Sequence, residues 1–153
     1  MTVTVQDAIE RQLVIPVGRQ RVWEAITSPD QIAAWFSDTV TMELEPGSPI
    51  VFHWDGYGER RGRVETVDPP SRFAYRWIPT DETDQSIPFD EVSSTLVEYT
   101  LEETSEGTRV TVTESGFGLL PADVREQMVR GNTEGWIQKT TALLDYLVAE
   151  EAG

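Results

Sequence analysis

Hydrophobic and polar positions follow two periods along this chain, and the places where the period changes divide it into elements. From Glu10 to Val17 they alternate, as in a strand with one buried face. From Arg19 to Ile26 the spacing becomes helical, with Val22, Trp23 and Ile26 inward. Ser28-Pro29-Asp30-Gln31 then restarts the chain. Serine as N-cap, proline at the first helical position and glutamine at the third form a capping-box signature for a short second helix that delivers Ile32, Trp35 and Phe36. Beyond Phe36 the period returns to two. Turn residues at Pro46-Gly47, Asp55-Gly56, Pro69-Pro70 and Glu106-Gly107 separate antiparallel strand candidates. Phe73, Tyr75 and Trp77 alternate on one, Val97, Tyr99 and Leu101 on another, Val110 and Val112 on a third. Pro121, with Asp123 and Glu126 in the first turn, opens a final helix to about Glu150. The predicted order is one strand, two helices, about six strands and a long helix.

The final helix is unusual in composition. Met128, Asn132, Trp136, Thr140, Leu143, Leu144 and Leu147 share a face that is apolar at its C-terminal end and polar or small toward its start. Gly131 and Gly135 lie beside this stripe, one turn apart. Each costs about 1 kcal/mol of helix propensity against alanine, so something other than helix stability favours them. Close helix–sheet packing is one explanation; space left for a ligand is the other.

Composition narrows the choices. The chain has 153 residues, enough for a single domain over 1–153 with its own core, residues 1–8 and 151–153 being read as flexible ends. There is no basic-then-apolar leader and no apolar run near the roughly 20 residues a membrane span needs, so the expected location is the cytoplasm, without membrane insertion. No cysteine is present, which excludes disulfides and thiolate chemistry. A net charge of −15 argues against nucleic acid and anionic membranes as partners. The one basic cluster is Arg60, Arg61 and Arg63. Alternation sends Arg61 and Arg63 to one face, where Glu65 can pair with them, and the cluster is read as a solvated strand face. The acidic run Asp81-Glu82-Thr83-Asp84 is read as a solvated loop, lacking the spacing and glycine of a calcium loop.

Val22-Trp23-Glu24-Ala25-Ile26-Thr27-Ser28-Pro29, continued by Ile32 and Trp35-Phe36, resembles the opening of the START/Bet v 1-like (SRPBCC) superfamily. More narrowly it is similar to the bacterial branch related to activators of the heat-shock protein 90 ATPase. Gly62-Arg63-Val64, Pro69-Pro70-Ser71-Arg72-Phe73 leading to Trp77, Ser115-Gly116-Phe117 and Gly135-Trp136 extend the resemblance along nearly the whole chain. It implies an α+β helix-grip fold, in which a curved antiparallel sheet of about six to seven strands wraps the C-terminal helix and leaves a cavity between them. It implies no single function, since lipid and hormone carriers, polyketide cyclases, a self-sacrificing resistance protein, dioxygenase subunits and chaperone activators share the superfamily.

The residues available for chemistry are few. His53 is the only histidine and Lys139 the only lysine. If Phe52 and Trp54 point inward, alternation sends His53 to solvent, which weighs against a general base; Lys139 sits beside the inner stripe and is read as a helix-surface charge. One histidine cannot build the usual zinc or iron site, so no metal and no cofactor are expected, and no Gly-x-Ser-x-Gly elbow occurs. Glu114 continues the inward alternation of Val110 and Val112. It is expected either at a cavity mouth, as a proton-bearing or weakly catalytic group, or in an ion pair with Arg76 or Arg109. The ligand-contact candidates are Trp54, Phe73, Tyr75, Trp77, Val97, Tyr99, Val112, Glu114, Phe117, Met128, Asn132, Trp136 and Thr140, with Trp77, Tyr99 and Trp136 foremost. Trp23, Trp35 and Phe36 are read as packing the short helices against the sheet end, where they would also serve as a lid, and Phe117, flanked by glycines, as a mobile gate.

Three functions follow in order. The first is binding of a hydrophobic small molecule, lipid-like, polyketide-like or aromatic, with Glu114, Asn132 and Thr140 setting its orientation. The second is a protein-interaction module of the chaperone-activator type, disfavoured because the activators it resembles combine this domain with another. The third is a cyclase or hydrolase using Glu114 or His53.

Overall fold

A computed structural model describes residues 7–56, 58–78, 88, 89 and 93–152. The acidic run at 81–84 lies outside them. In chain order the elements are β1 (Ala8–Ile15), α1 (Arg19–Thr27), α2 (Pro29–Trp35), β2 (Thr39–Met42), β3 (Pro49–Trp54), β4 (Gly58–Asp68), β5 (Arg72–Trp77), β6 (Thr95–Thr104), β7 (Gly107–Ser115) and α3 (Ala122–Ala152). Among the described residues, regular structure runs from Ala8 to Ala152, where the periodicity places the first strand from Glu10 and the end of the last helix at about Glu150.

The strands form one curved, fully antiparallel sheet in the order β1-β7-β6-β5-β4-β3-β2. Strands β2 to β7 follow each other as a meander, and only β1 crosses over, pairing Ala8 with Ser115 and Ile15 with Thr108. Alternation is clear in β6 and β7, where Val97, Tyr99, Leu101, Val110, Val112 and Glu114 face inward. Gly62 lets β4 and β5 approach closely, because a Cβ there would stand 2.2 Å from the Arg76 carbonyl oxygen. Two residues on, a register shift between Val64 and Thr66 bends β4.

The short helices close one end of the sheet. α1 buries Val22, Trp23, Ala25 and Ile26, and α2 buries Ile32 and Trp35. Ser28 is the N-cap of α2 in extended conformation and Pro29 opens the helix, but the capping box does not form. The Ser28 side chain makes no cap hydrogen bond, and Gln31 Oε1 instead accepts from Arg21 Nη1 at 2.5 Å and from Tyr146 Oη at 3.3 Å. α3 lies in the grip of the sheet, with Asn132, Trp136, Thr140, Leu143 and Leu147 buried. No helix among the described residues is long and apolar enough to cross a membrane.

An aromatic cluster under the N-terminal half of α3

Aromatic side chains from separate elements converge on Phe36, at the end of α2. Its ring lies 5.0 Å from Phe52, 5.6 Å from Trp54, 5.9 Å from Trp77 and 5.7 Å from Trp136, centroid to centroid. The rings of β3 and β5 reach this point because period-two alternation puts Phe52 with Trp54, and Tyr75 with Trp77, on the concave face. Deeper in, the interior is filled. Phe73, Tyr75 and Tyr99 leave a void of only about 10 Å³ against Ile26, Ile32, Trp35, Phe36 and Phe52.

Toward α3 the filling stops. A cleft of about 210 Å³ opens between Phe36, Trp54, Arg60 and Trp77 on one side and Gly131, Asn132, Gly135, Trp136 and Lys139 of α3 on the other. Nothing lies within 4 Å of a Cβ added at Gly131 or Gly135. The two glycines are thus not sites of close helix–sheet packing. They form the floor of open space.

Beneath the cleft sits Glu114, with no solvent exposure. Trp136 Nε1 donates to its Oε1 at 2.8 Å, Trp77 Nε1 to its Oε2 at 2.9 Å, Thr95 Oγ1 to Oε2 at 2.5 Å, and Asn132 Nδ2 reaches both oxygens at 3.1 and 3.2 Å. Indole N–H groups and amide NH₂ groups only donate, so they suit a carboxylate that only accepts. Neither expected location is found. Glu114 does not line the cleft, and Arg76 and Arg109 pair on the outer face with Glu65 at 3.1 Å and Glu102 at 3.6 Å. A second polar pair lies nearby, the Tyr75 and Tyr99 hydroxyls 3.4 Å apart. Burial pushes both phenols well above their usual value, and the negative charge of Glu114 adds to it.

Two cations border the cleft that the sequence reading placed elsewhere. Arg60 lies over the Trp77 ring, 4.8 Å from its centroid, and 5.8 Å from that of Trp54. Lys139 Nζ lies 5.9 Å from the Phe36 centroid. Burial pushes its ammonium below the usual lysine value, and Asp38 partly offsets the shift. Both positions had a signal. The alternation that sends Arg61 and Arg63 outward sends Arg60 inward with Gly62 and Val64, and Lys139 follows Gly131 and Gly135 at four-residue steps along one helical ridge.

Of the expected contacts, Trp54, Trp77, Asn132 and Trp136 line the cleft. Phe73, Tyr75, Val97, Tyr99 and Val112 are core residues, and half-buried Met128 packs against them without reaching the opening. Thr140 is buried, bonded to the Trp136 carbonyl at 2.7 Å and to Arg11 Nε at 3.2 Å. Phe117 is no gate. It has no exposure and sits in a 3-10 turn over Phe117–Leu119, where the carbonyl oxygens of Phe117, Gly118 and the C-cap Leu120 accept from Arg125. His53 faces outward as expected, 3.1 Å from Asp55 and 3.7 Å from Glu59. Among the described residues, no group of three or more histidine or acidic side chains is gathered for a metal.

The comparisons agree with this architecture. DynU16, described as a protein in the dynemicin biosynthetic locus, shares 24% identity over 93% of this chain with a TM-score of 0.74, and this chain spans about half of it, 47%. A Mesorhizobium loti protein superposes with a TM-score of 0.77 at 22% identity, covering 93% of this chain and 97% of its own. The Aha1 dimer from Colwellia psychrerythraea gives 0.72 at 18%, over 92% and 95% of the two chains. At such identities the likeness establishes the fold alone. By sequence, no curated protein matches. The profile of the family described as "Activator of Hsp90 ATPase homolog 1-like protein" matches residues 16–148, most of the chain and every element from α1 to the last turns of α3, and the protein belongs to that family.

Proposed function

We propose that the protein binds a hydrophobic small molecule in the cleft between α3 and the β3–β5 end of the sheet. The observation that carries this reading is the pair Gly131 and Gly135. Both weaken the helix, neither is needed for close packing, and both keep the cleft open. Four aromatic rings supply apolar wall, and the space favours a compact ligand. A cavity of about 150 Å³ accommodates benzene, so about 210 Å³ suits one or two rings or a short branched chain, any longer part projecting into solvent. A full-length lipid chain does not fit inside. The DynU16 likeness is compatible with a small-molecule role at the level of fold only.

Neither candidate for acid–base catalysis faces this space: Glu114 lies behind Trp77 and Trp136, and His53 is on the opposite face of the sheet. Binding without turnover is therefore the favoured form of the proposal. The test is native mass spectrometry of freshly purified protein, organic extraction of any adduct, and its return while tryptophan emission is followed. A stoichiometric adduct is expected, and Gly135→Leu, which adds a good helix former and fills the cleft, should weaken rebinding by roughly tenfold or more. Trp136→Ala is a poorer probe, because Trp136 is both core and a donor to Glu114. An empty protein whose emission ignores a panel of small aromatic compounds would overturn the reading and leave a protein partner as the stronger one.

A further inference from the structure

Among the described side chains that line the cleft, one carries a nucleophilic atom. The four aromatic residues offer ring faces, Arg60 a guanidinium that stays protonated, Asn132 an amide committed to Glu114, and the two glycines no side chain. Lys139 offers a primary amine. It is the chain's single lysine. The other eleven of the twelve basic residues are arginine, which keeps its proton in a protein. The helix also sets where the amine stands. Gly131, Gly135 and Lys139 lie on one ridge of α3 at four-residue steps, so the lysine follows the second glycine by one turn, about 6 Å along the axis. A compact ligand lying on the glycine floor therefore has Nζ within reach of its end.

We infer that Lys139 is a covalent capture site, its amine condensing reversibly with an aldehyde or ketone group of a hydrophobic ligand seated over Gly131 and Gly135. This rests on the reading of the cleft as a ligand site and adds a bond to it. The Nζ lone pair attacks the carbonyl carbon while the C=O π pair moves to oxygen. One N–H proton passes through solvent to that oxygen. The carbinolamine then loses its hydroxyl group, with the second N–H proton, as water and leaves a C=N bond. Nothing is oxidised or reduced. The step needs a neutral amine in surroundings poor in water, and Lys139 is half-buried with Nζ 5.9 Å from the Phe36 centroid. Burial holds its ammonium below the usual lysine value. Among the described residues, α3 has no other charged side chain within a turn of it, and β3 presents Trp54 here while His53 faces outward. Arg60 of β4 stands across the cleft. Asp38, beyond α2, favours the ammonium, but less than burial disfavours it.

The test incubates the protein with 2-naphthaldehyde and cyanoborohydride, which reduces an imine to a stable secondary amine, and locates the label by peptide mass mapping. The α-amino group of the same chain is the internal reference. Its ordinary pKa is about 8 against about 10.4 for lysine, so at about pH 7.5 an ordinary lysine trails it roughly a hundredfold in neutral amine. In the folded protein Lys139 should be labelled at least as fast as the α-amine, and in concentrated urea it should fall behind by about tenfold or more. Gly135→Leu, at an unreduced melting temperature, should slow labelling of Lys139 by about tenfold and leave the α-amine unchanged, since the cleft delivers the aldehyde. Labelling of Lys139 that ignores Gly135→Leu would overturn the inference, because the amine would then react without the cleft. Naphthalene-2-methanol has the shape without the carbonyl and reports binding through tryptophan emission. If it binds while Lys139 in the folded protein trails the α-amine roughly a hundredfold, capture is overturned and the hydrophobic cleft stands. If it does not bind and Lys139 shows no preference, both readings fall together.

Discussion

Glu114 is a carboxylate placed where carboxylates are costly, yet every donor around it is aimed at it. Stripping the water from a buried carboxylate costs several kcal/mol unless the protein replaces those contacts, and here two indoles, a hydroxyl and an amide do so. The same groups belong to β5, β6 and α3, so the residue ties the sheet to its helix. Glu114→Gln keeps the shape but presents an NH₂ to neighbours that themselves donate. We expect a loss of about 3 kcal/mol, read as a lower urea midpoint with an unchanged slope. A loss under about 1 kcal/mol would contradict the role. That Glu114 points inward was legible from its alternation with Val110 and Val112. Its partners were not, because Trp77, Thr95, Asn132 and Trp136 lie 18 to 37 residues away and no local pattern links them.

Among the elements, α3 carries two requirements that conflict. Its C-terminal half is an ordinary core helix, with Leu143 and Leu147 fully buried, while its N-terminal half gives up helix stability to leave the cleft open. Because a Cβ at Gly131 or Gly135 meets nothing, Gly131→Ala and Gly135→Ala should each raise stability by about 1 kcal/mol in thermal or urea unfolding. No gain in either would mean that the glycines serve a backbone need instead. Strand and helix periods were readable because each element buries a single face. The capping box at Ser28 was not fulfilled because Gln31 has a use that outranks it, joining Arg21 on α1 to Tyr146 on α3, and a partner 115 residues away leaves no local trace. Arg60 was missed for the opposite reason: its strand pattern placed it inward, but a cation beside a concave apolar face was read by charge before it was read by position.

At the scale of the molecule, a chain of net charge −15 folds its one lysine and an arginine against the cleft and leaves most of its described acids on the surface. The sheet that builds this cleft is a meander from β2 to β7, in which each strand meets its neighbour soon after it is made. β1 is the exception. Its strand partner is β7, about 100 residues later, and its other long-range ties, from Arg11 to Thr140 and from Asp7 to the backbone of Gly116, Phe117 and Gly118, also reach into the last quarter of the chain. Closing a loop of that length is the slow step available to this topology, so pulse-labelled hydrogen exchange during refolding should find β1 amides protected after those of β4 and β5. Protection of β1 first would contradict this. During synthesis at about 5–20 residues per second, β1 then waits some 5–20 s for its neighbour. Of the seven strands in this sheet, the earliest made is the last to join it, and any chain stopped short of β7 leaves that strand without its partner.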